Sequence, residues 1–177
     1  MHGSIFLMES LTKVCLNCGK EKPLSEFGKN KQSKDGKTYW CLQCKREYNA
    51  WYRGTPNGIY NQTVQNQRWY KHKEVEISRK DFLEWYDNEP KICAYCDLPE
   101  DDINIMKEHF SGRADRLTVD CMDNDRGYVK DNLVLACGVC NLLKNNFFSY
   151  EEFRDIAQRY IKPKWVGVKS KVSEVET

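Results

Sequence analysis

The chain is 177 residues long, 31% of them charged, with nine cysteines and a formal net charge of only +2. That length suits one ordinary domain or two small ones, and neither a bilayer-spanning apolar run nor a signal peptide is evident, since the Ser4–Met8 stretch is too short and has neither a basic flank nor a small-residue cleavage site. Charge is unevenly spread: residues 1–80 carry 15 Lys/Arg against 7 Asp/Glu, a net of +8, and residues 81–177 carry 13 against 19, a net of −6. Such a division suits a nucleic-acid partner and gives no reason to expect a membrane one, although a plain solvated surface looks the same.

Residues 1–12 read as a leader, with Met8 as a second candidate start. A first module spans 13–53. Cys15-Leu16-Asn17-Cys18-Gly19 has the form of a zinc knuckle, in which Gly19 permits a tight turn close to the sulfurs. Lys34-Asp35-Gly36-Lys37 signals a turn. Cys41 and Cys44 form the second knuckle, and the run to Arg53 has helical character. So small a unit cannot fold on apolar burial alone, so a treble-clef or ribbon-like unit held by zinc on Cys15, Cys18, Cys41 and Cys44 is expected. Lys45, Arg46 and Arg53 interleave with Tyr39, Trp40, Tyr48, Trp51 and Tyr52. The mixture suits nucleic-acid contact with stacking, and the aromatics suit a small core equally well.

Gly54 to Gly58 is a breaker cluster, and 54–90 reads as a helical linker. It holds a Gln/Asn-rich helix anchored by Ile59, Val64, Trp69 and Tyr70. A second helix is capped by Ser78 and stopped at Asn88-Glu89-Pro90. The second module spans 91–162. Cys93, Cys96, Cys137 and Cys140 complete a set of four Cys-x-x-Cys pairs, with Cys121 left over. Pairs in this number read as two structural zinc sites rather than as disulfides, and redox motifs come singly beside a βαβ pattern that is absent here. Residues 97–115, including His109 and Arg113, read as a polar loop. Leu117, Val119 and Cys121 alternate with Thr118 and Asp120 as in a strand, a turn follows at 124–128, and Leu133–Ala136 is a second strand. A short helix after Cys140 carries Leu142, Leu143 and Lys144. Ser149 and Glu152 form a capping box for a helix that Pro163 should end, leaving 163–177 as a disordered tail. The elements sum to an α+β fold of two small zinc-stabilised modules.

The ordered set Cys93/Cys96, Asp120, Asn132 and Cys137/Cys140-Asn141 resembles the HNH (ββα-metal) endonuclease family over about residues 93–148. The first module is similar to four-cysteine units that precede HNH domains in phage and mobile-element proteins. The resemblance implies one catalytic Mg²⁺ or Mn²⁺ on Asp120 and Asn141, whose oxygens suit a hard ion. It implies that Asn132 orients the base or braces the loop. It implies hydrolysis of double-stranded DNA, in the cytoplasm of a bacterial or phage-infected cell. Arg113, Arg116, Arg126 and Lys144 flank the site and suit phosphate positioning or ordinary surface charge. The family's general-base His falls at Cys121, whose thiol titrates too high for that work. Three readings follow. The site is degenerate and the protein binds nucleic acid or serves a larger nucleoprotein complex; His109 is the base; or the metal activates water unaided. A protein-binding zinc adaptor fits the basic N-terminal bias poorly.

Overall fold

The computed structural model describes residues 11–70, 76–103 and 116–175. Contacts divide the chain into two units, the first ending at Tyr52 and the second beginning at Arg53.

In the first unit, β1 (Thr12–Val14) pairs antiparallel with β2 (Glu21–Pro23), and the first knuckle lies between them. β3 (Phe27–Lys29) pairs antiparallel with β4 (Lys37–Cys41), which runs directly into α1 (Leu42–Gly54). The turn between β3 and β4 places Gly36 at φ +67°, and Lys13 meets Asp35 at 2.6 Å across it. The Lys13 hydrogen bond holds the Asp35 carboxyl down to about 2. The buried core consists of Phe27 and three cysteines, Cys15, Cys41 and Cys44, with Trp40 packed against them. One buried aromatic ring cannot offset the ordering entropy of some forty residues, so a unit of this kind calls for a cross-link such as a metal on its four cysteines.

The second unit contains α2 (Pro56–Tyr70), α3 (Arg79–Asn88), β5 (Thr118–Cys121), β6 (Leu133–Ala136), α4 (Gly138–Lys144) and α5 (Tyr150–Ile156). A π-helical turn at Ala157–Ile161 then leads into α6 (Lys162–Val175). β5 and β6 are antiparallel, with Asp120 opposite Val134 and Cys121 opposite Leu133. The segment read as a linker belongs to this unit: Ile59, Ile77, Phe82 and Tyr86 share one core with Tyr95, Leu117, Leu135 and Phe153. α2 and α3 are clamped by Arg79, which lies 4.7 Å over the Tyr60 ring and donates to Asn57 and Asn61 at 2.9 and 2.8 Å. Ser78 caps α3 by accepting from the Asp81 amide at 3.2 Å. The capping box of α5 is present in both directions, Glu152 N to Ser149 Oγ at 3.3 Å and Ser149 N to Glu152 Oε2 at 2.9 Å.

The chain beyond Pro163 differs from expectation, because it is helical through Val175. Pro163 lacks an N–H, and its ring presses on the carbonyl four residues back. The wider π turn immediately before it relieves both problems. Trp165 then inserts into the core and donates from Nε1 to the Cys96 carbonyl at 3.1 Å. Lys162 and Lys169 pair with Asp97 and Asp102, each at 2.6 Å.

Candidate metal centre

Each set of four cysteines brings its sulfurs within 4.8 Å of one another. Cys15–Cys44 and Cys96–Cys137 are both 3.9 Å apart. A disulfide needs about 2.05 Å, whereas tetrahedral zinc with bonds of about 2.3 Å separates its sulfurs by about 3.8 Å. Backbone amides point at the sulfurs as in zinc knuckles: Cys41 N to Cys15 Sγ at 3.2 Å, Cys44 N to Cys41 Sγ at 3.5 Å and Cys140 N to Cys137 Sγ at 3.4 Å. Hydrogen bonds from Cys137 and its neighbours pull the Cys93 thiol far below its ordinary value and push Cys96 and Cys140 far above theirs. Full ionisation of the cluster therefore calls for a thiophilic cation. Both sites fit structural zinc.

The two knuckles turn in the same way. Gly19 and Asp97 follow the second cysteine of their pairs at φ +69° and +59°, and each amide returns to the first cysteine's carbonyl at 2.9 Å. Asp tolerates that left-handed geometry better than most residues. Its carboxylate also receives Lys162 and, at 2.9 Å, Gln158. Burial raises the Asp97 pKa, but these donors outweigh it and leave it below its ordinary value.

Asp120 is buried on the middle of β5, where side chains alternate between faces. Thr118 therefore shares its face, and Val119 and Cys121 take the other. The Thr118 hydroxyl gives its single proton to the Ala136 carbonyl at 2.9 Å. It can then only accept from Asn141 Nδ2, also at 2.9 Å. Asn141 is thus tied to the strand that carries Asp120, with its amide nitrogen engaged by Thr118. Asp120 is itself fixed: Tyr95 Oη donates to Oδ2 at 2.8 Å, Lys144 Nζ stands 3.4 Å from the same oxygen, and Cys121 N donates to Oδ1 at 2.9 Å. Burial and the neighbouring Asp120 charge hold the Tyr95 phenol protonated well above the ordinary tyrosine range. A carboxylate and an amide oxygen are the donor types that suit a hard divalent cation.

The other sequence candidates divide. Asn132 is fully buried and braces the β5–β6 loop, donating to the Asp123 and Gly127 carbonyls at 2.7 Å each and accepting from Asp123 N at 2.9 Å. Cys121 is wholly buried in the core. Lys144, expected among flanking surface cations, is wholly buried too. Arg126 is exposed and bridges both Asp131 oxygens at 2.8 Å. Arg116 is half-buried beside Gly54, where a Cβ would come within 2.6 Å of its Nη1. Lys45, Arg46 and Arg53 are exposed on α1. In the first unit Tyr39, Tyr48 and Trp51 are exposed, with Tyr48 stacked on Tyr52 at 6.1 Å. His109 and Arg113 lie outside the described residues. Tyr95 and Thr118 also line the Asp120 site, and no motif in the sequence marks them for it. The only advance signal for Tyr95 was that a buried phenol needs a partner.

No protein-family model and no curated protein matches this chain. Among solved structures, the rare-cutting HNH restriction endonuclease PacI is similar, with TM-score 0.53 and 23% identity, over 86% of this chain and 95% of that one. Likeness at that identity concerns the fold: the chain has an α+β, HNH-like architecture with two four-cysteine sites. No helix among the described residues is long and apolar enough to cross a membrane.

Proposed function

We propose that the protein is a metal-dependent HNH-type endonuclease that hydrolyses phosphodiester bonds in double-stranded DNA. The observation that supports this reading is the hydrogen bond from Asn141 Nδ2 to Thr118, which ties Asn141 to the strand that carries Asp120. A fold shared with an HNH restriction endonuclease supports it. A Mg²⁺ or Mn²⁺ ion bound there would neutralise phosphate charge and acidify water. The protein's own part is positional. Tyr95 and the Cys121 amide hold the Asp120 carboxylate still, Asn132 keeps the adjoining loop in shape, and exposed Lys45, Arg46 and Arg53 suit contact with the nucleic-acid backbone. His109 remains the candidate base. Supercoiled plasmid incubated with Mg²⁺ or Mn²⁺ tests the reading. Cutting that stops with chelator and with Asn141→Ala is expected, and no cutting with any divalent ion contradicts it.

A second reading rests on Cys121. Where the family places an imidazole, this chain has a buried thiol in the core. That favours a protein that binds DNA without cutting it, or that serves within a larger nucleoprotein complex. Salt-sensitive binding without hydrolysis is its signature.

A further inference from the structure

Lys144 has no part in the chemistry set out above, yet it is the most unusual side chain in the molecule. Lysine is almost never fully buried unless paired, and Lys144 is fully buried. Its ammonium donates to the Cys121 carbonyl at 2.9 Å and Asn124 Oδ1 at 3.3 Å, and forms an ion pair with Asp120 Oδ2 at 3.4 Å. Two hydrogen bonds and one ion pair fix it in place. We propose that this internal cation makes divalent-metal uptake at Asp120 depend on the substrate's phosphate, so that the site fills only when nucleic acid arrives. The proposal rests on the metal-dependent reading of Asp120 and Asn141.

Asp120 as an anion offers about four lone-pair positions. Tyr95 donates to Oδ2, which Lys144 also faces as an ion pair, and the Cys121 amide donates to Oδ1. With a donor on each oxygen and an ammonium beside it, Asp120 has few lone pairs left for a metal. The ammonium cancels the carboxylate's charge, and Asn141 adds none. Among the described residues no other group of three or more His, Cys, Asp or Glu gathers there; the two cysteine clusters are the groups that do. A divalent ion thus meets a carboxylate whose charge its own ion pair already offsets. Mg²⁺ demands near-octahedral coordination and leans on substrate phosphates when protein carboxylates are few. Bound phosphodiester supplies both the missing negative charge and further oxygens. Because binding linkage is reciprocal, the metal should strengthen DNA binding by the same factor.

The test is Mn²⁺ binding by electron paramagnetic resonance on the zinc-loaded full chain, with and without a short DNA duplex. Site occupancy is taken as the Mn²⁺ lost in Asp120→Ala. Wild type should bind at least about tenfold more tightly with DNA than without, since a unit charge a few ångströms away commands roughly that factor against a divalent ion even in a water-like medium. Lys144→Met and Lys144→Gln should bind Mn²⁺ without DNA about tenfold more tightly than wild type, closing the gap. Equal Asp120-dependent affinity in wild type with and without DNA would overturn the proposal while leaving the metal site standing. Folded Lys144 variants that bind no more tightly than wild type would also overturn it. Should neither variant fold, the wild-type comparison decides alone. Absence of Asp120-dependent Mn²⁺ even with DNA removes the metal site and the proposal together.

Discussion

Tyr95 and Asp120 meet at 2.8 Å, phenol to carboxylate, at the join between a zinc knuckle and a strand. Tyr95 is the residue immediately before Cys96, a ligand of the second thiolate cluster, and Asp120 is the acidic residue of the candidate catalytic face. One hydrogen bond therefore links the cluster that holds the fold to the group proposed to hold the catalytic ion.

Removing that phenol should be felt as stability. Tyr95→Phe leaves a buried carboxylate oxygen with one donor fewer, a change that costs about 1–3 kcal/mol. Urea unfolding of the second unit should show the loss while zinc content stays at the wild-type level. An unchanged midpoint would mean that the bond is replaced by water at no cost.

Chelation should dismantle the units in order. The first unit buries little beyond Phe27 and its thiols, and its Cys18 is exposed. The second keeps a broad apolar core and four buried ligands. Zinc release monitored with a chromogenic chelator should be biphasic, with the fast phase accompanied by loss of structure in the first unit. A single phase, or earlier loss from the second unit, contradicts this.

α6 should stabilise the second cysteine cluster. Trp165 is buried and bonded to the Cys96 carbonyl. Trp165→Ala should cost about 3–5 kcal/mol, as expected for a buried indole, and should speed zinc release from the second site. Truncation before Lys162 should do the same, as it also removes one of the cationic partners of Asp97. Wild-type melting of either protein would show that the helix is dispensable.

Tyr86 sets an alkaline limit. Burial, with the negative charge of Glu100 beside it, raises its pKa above the ordinary tyrosine value of 10. The folded state thus holds this proton more tightly than the unfolded state. Its contribution is complete below pH about 10 and is lost as pH rises beyond that value. Tyr86→Phe should therefore melt with a shallower alkaline decline than wild type between pH 9 and about 12. Parallel declines would refute the assignment.

Much of this architecture was legible because local chemistry repeats at fixed spacing. Paired cysteines announced both clusters, Ser78 and the Ser149–Glu152 box announced two helix starts, and alternation announced β5. The two units look unrelated in sequence, yet each combines a knuckle, a hairpin and a helix around its four cysteines. What stayed hidden depends on partners distant in sequence. Thr118 acquires its role from Asn141, 23 residues on, and Lys144 is buried because Cys121 and Asn124 offer it oxygens. The segment 54–90 read as a linker because its apolar residues are sparse, but they reach the shared core. Pro163 is a strong stop signal that the preceding π turn overrides, and the single Trp165 gave the polar tail no visible period.

The most direct measurement is plasmid cleavage by wild type and Asp120→Ala side by side, both carrying two zinc ions and both folded by circular dichroism. Wild type should cut only when Mg²⁺ or Mn²⁺ is added, and Asp120→Ala should not cut with either, because it lacks the one charged oxygen ligand on the β5 face. An Asp120→Ala protein that cuts at the wild-type rate would place the chemistry elsewhere, and a wild type that binds DNA but leaves it intact would contradict the endonuclease reading.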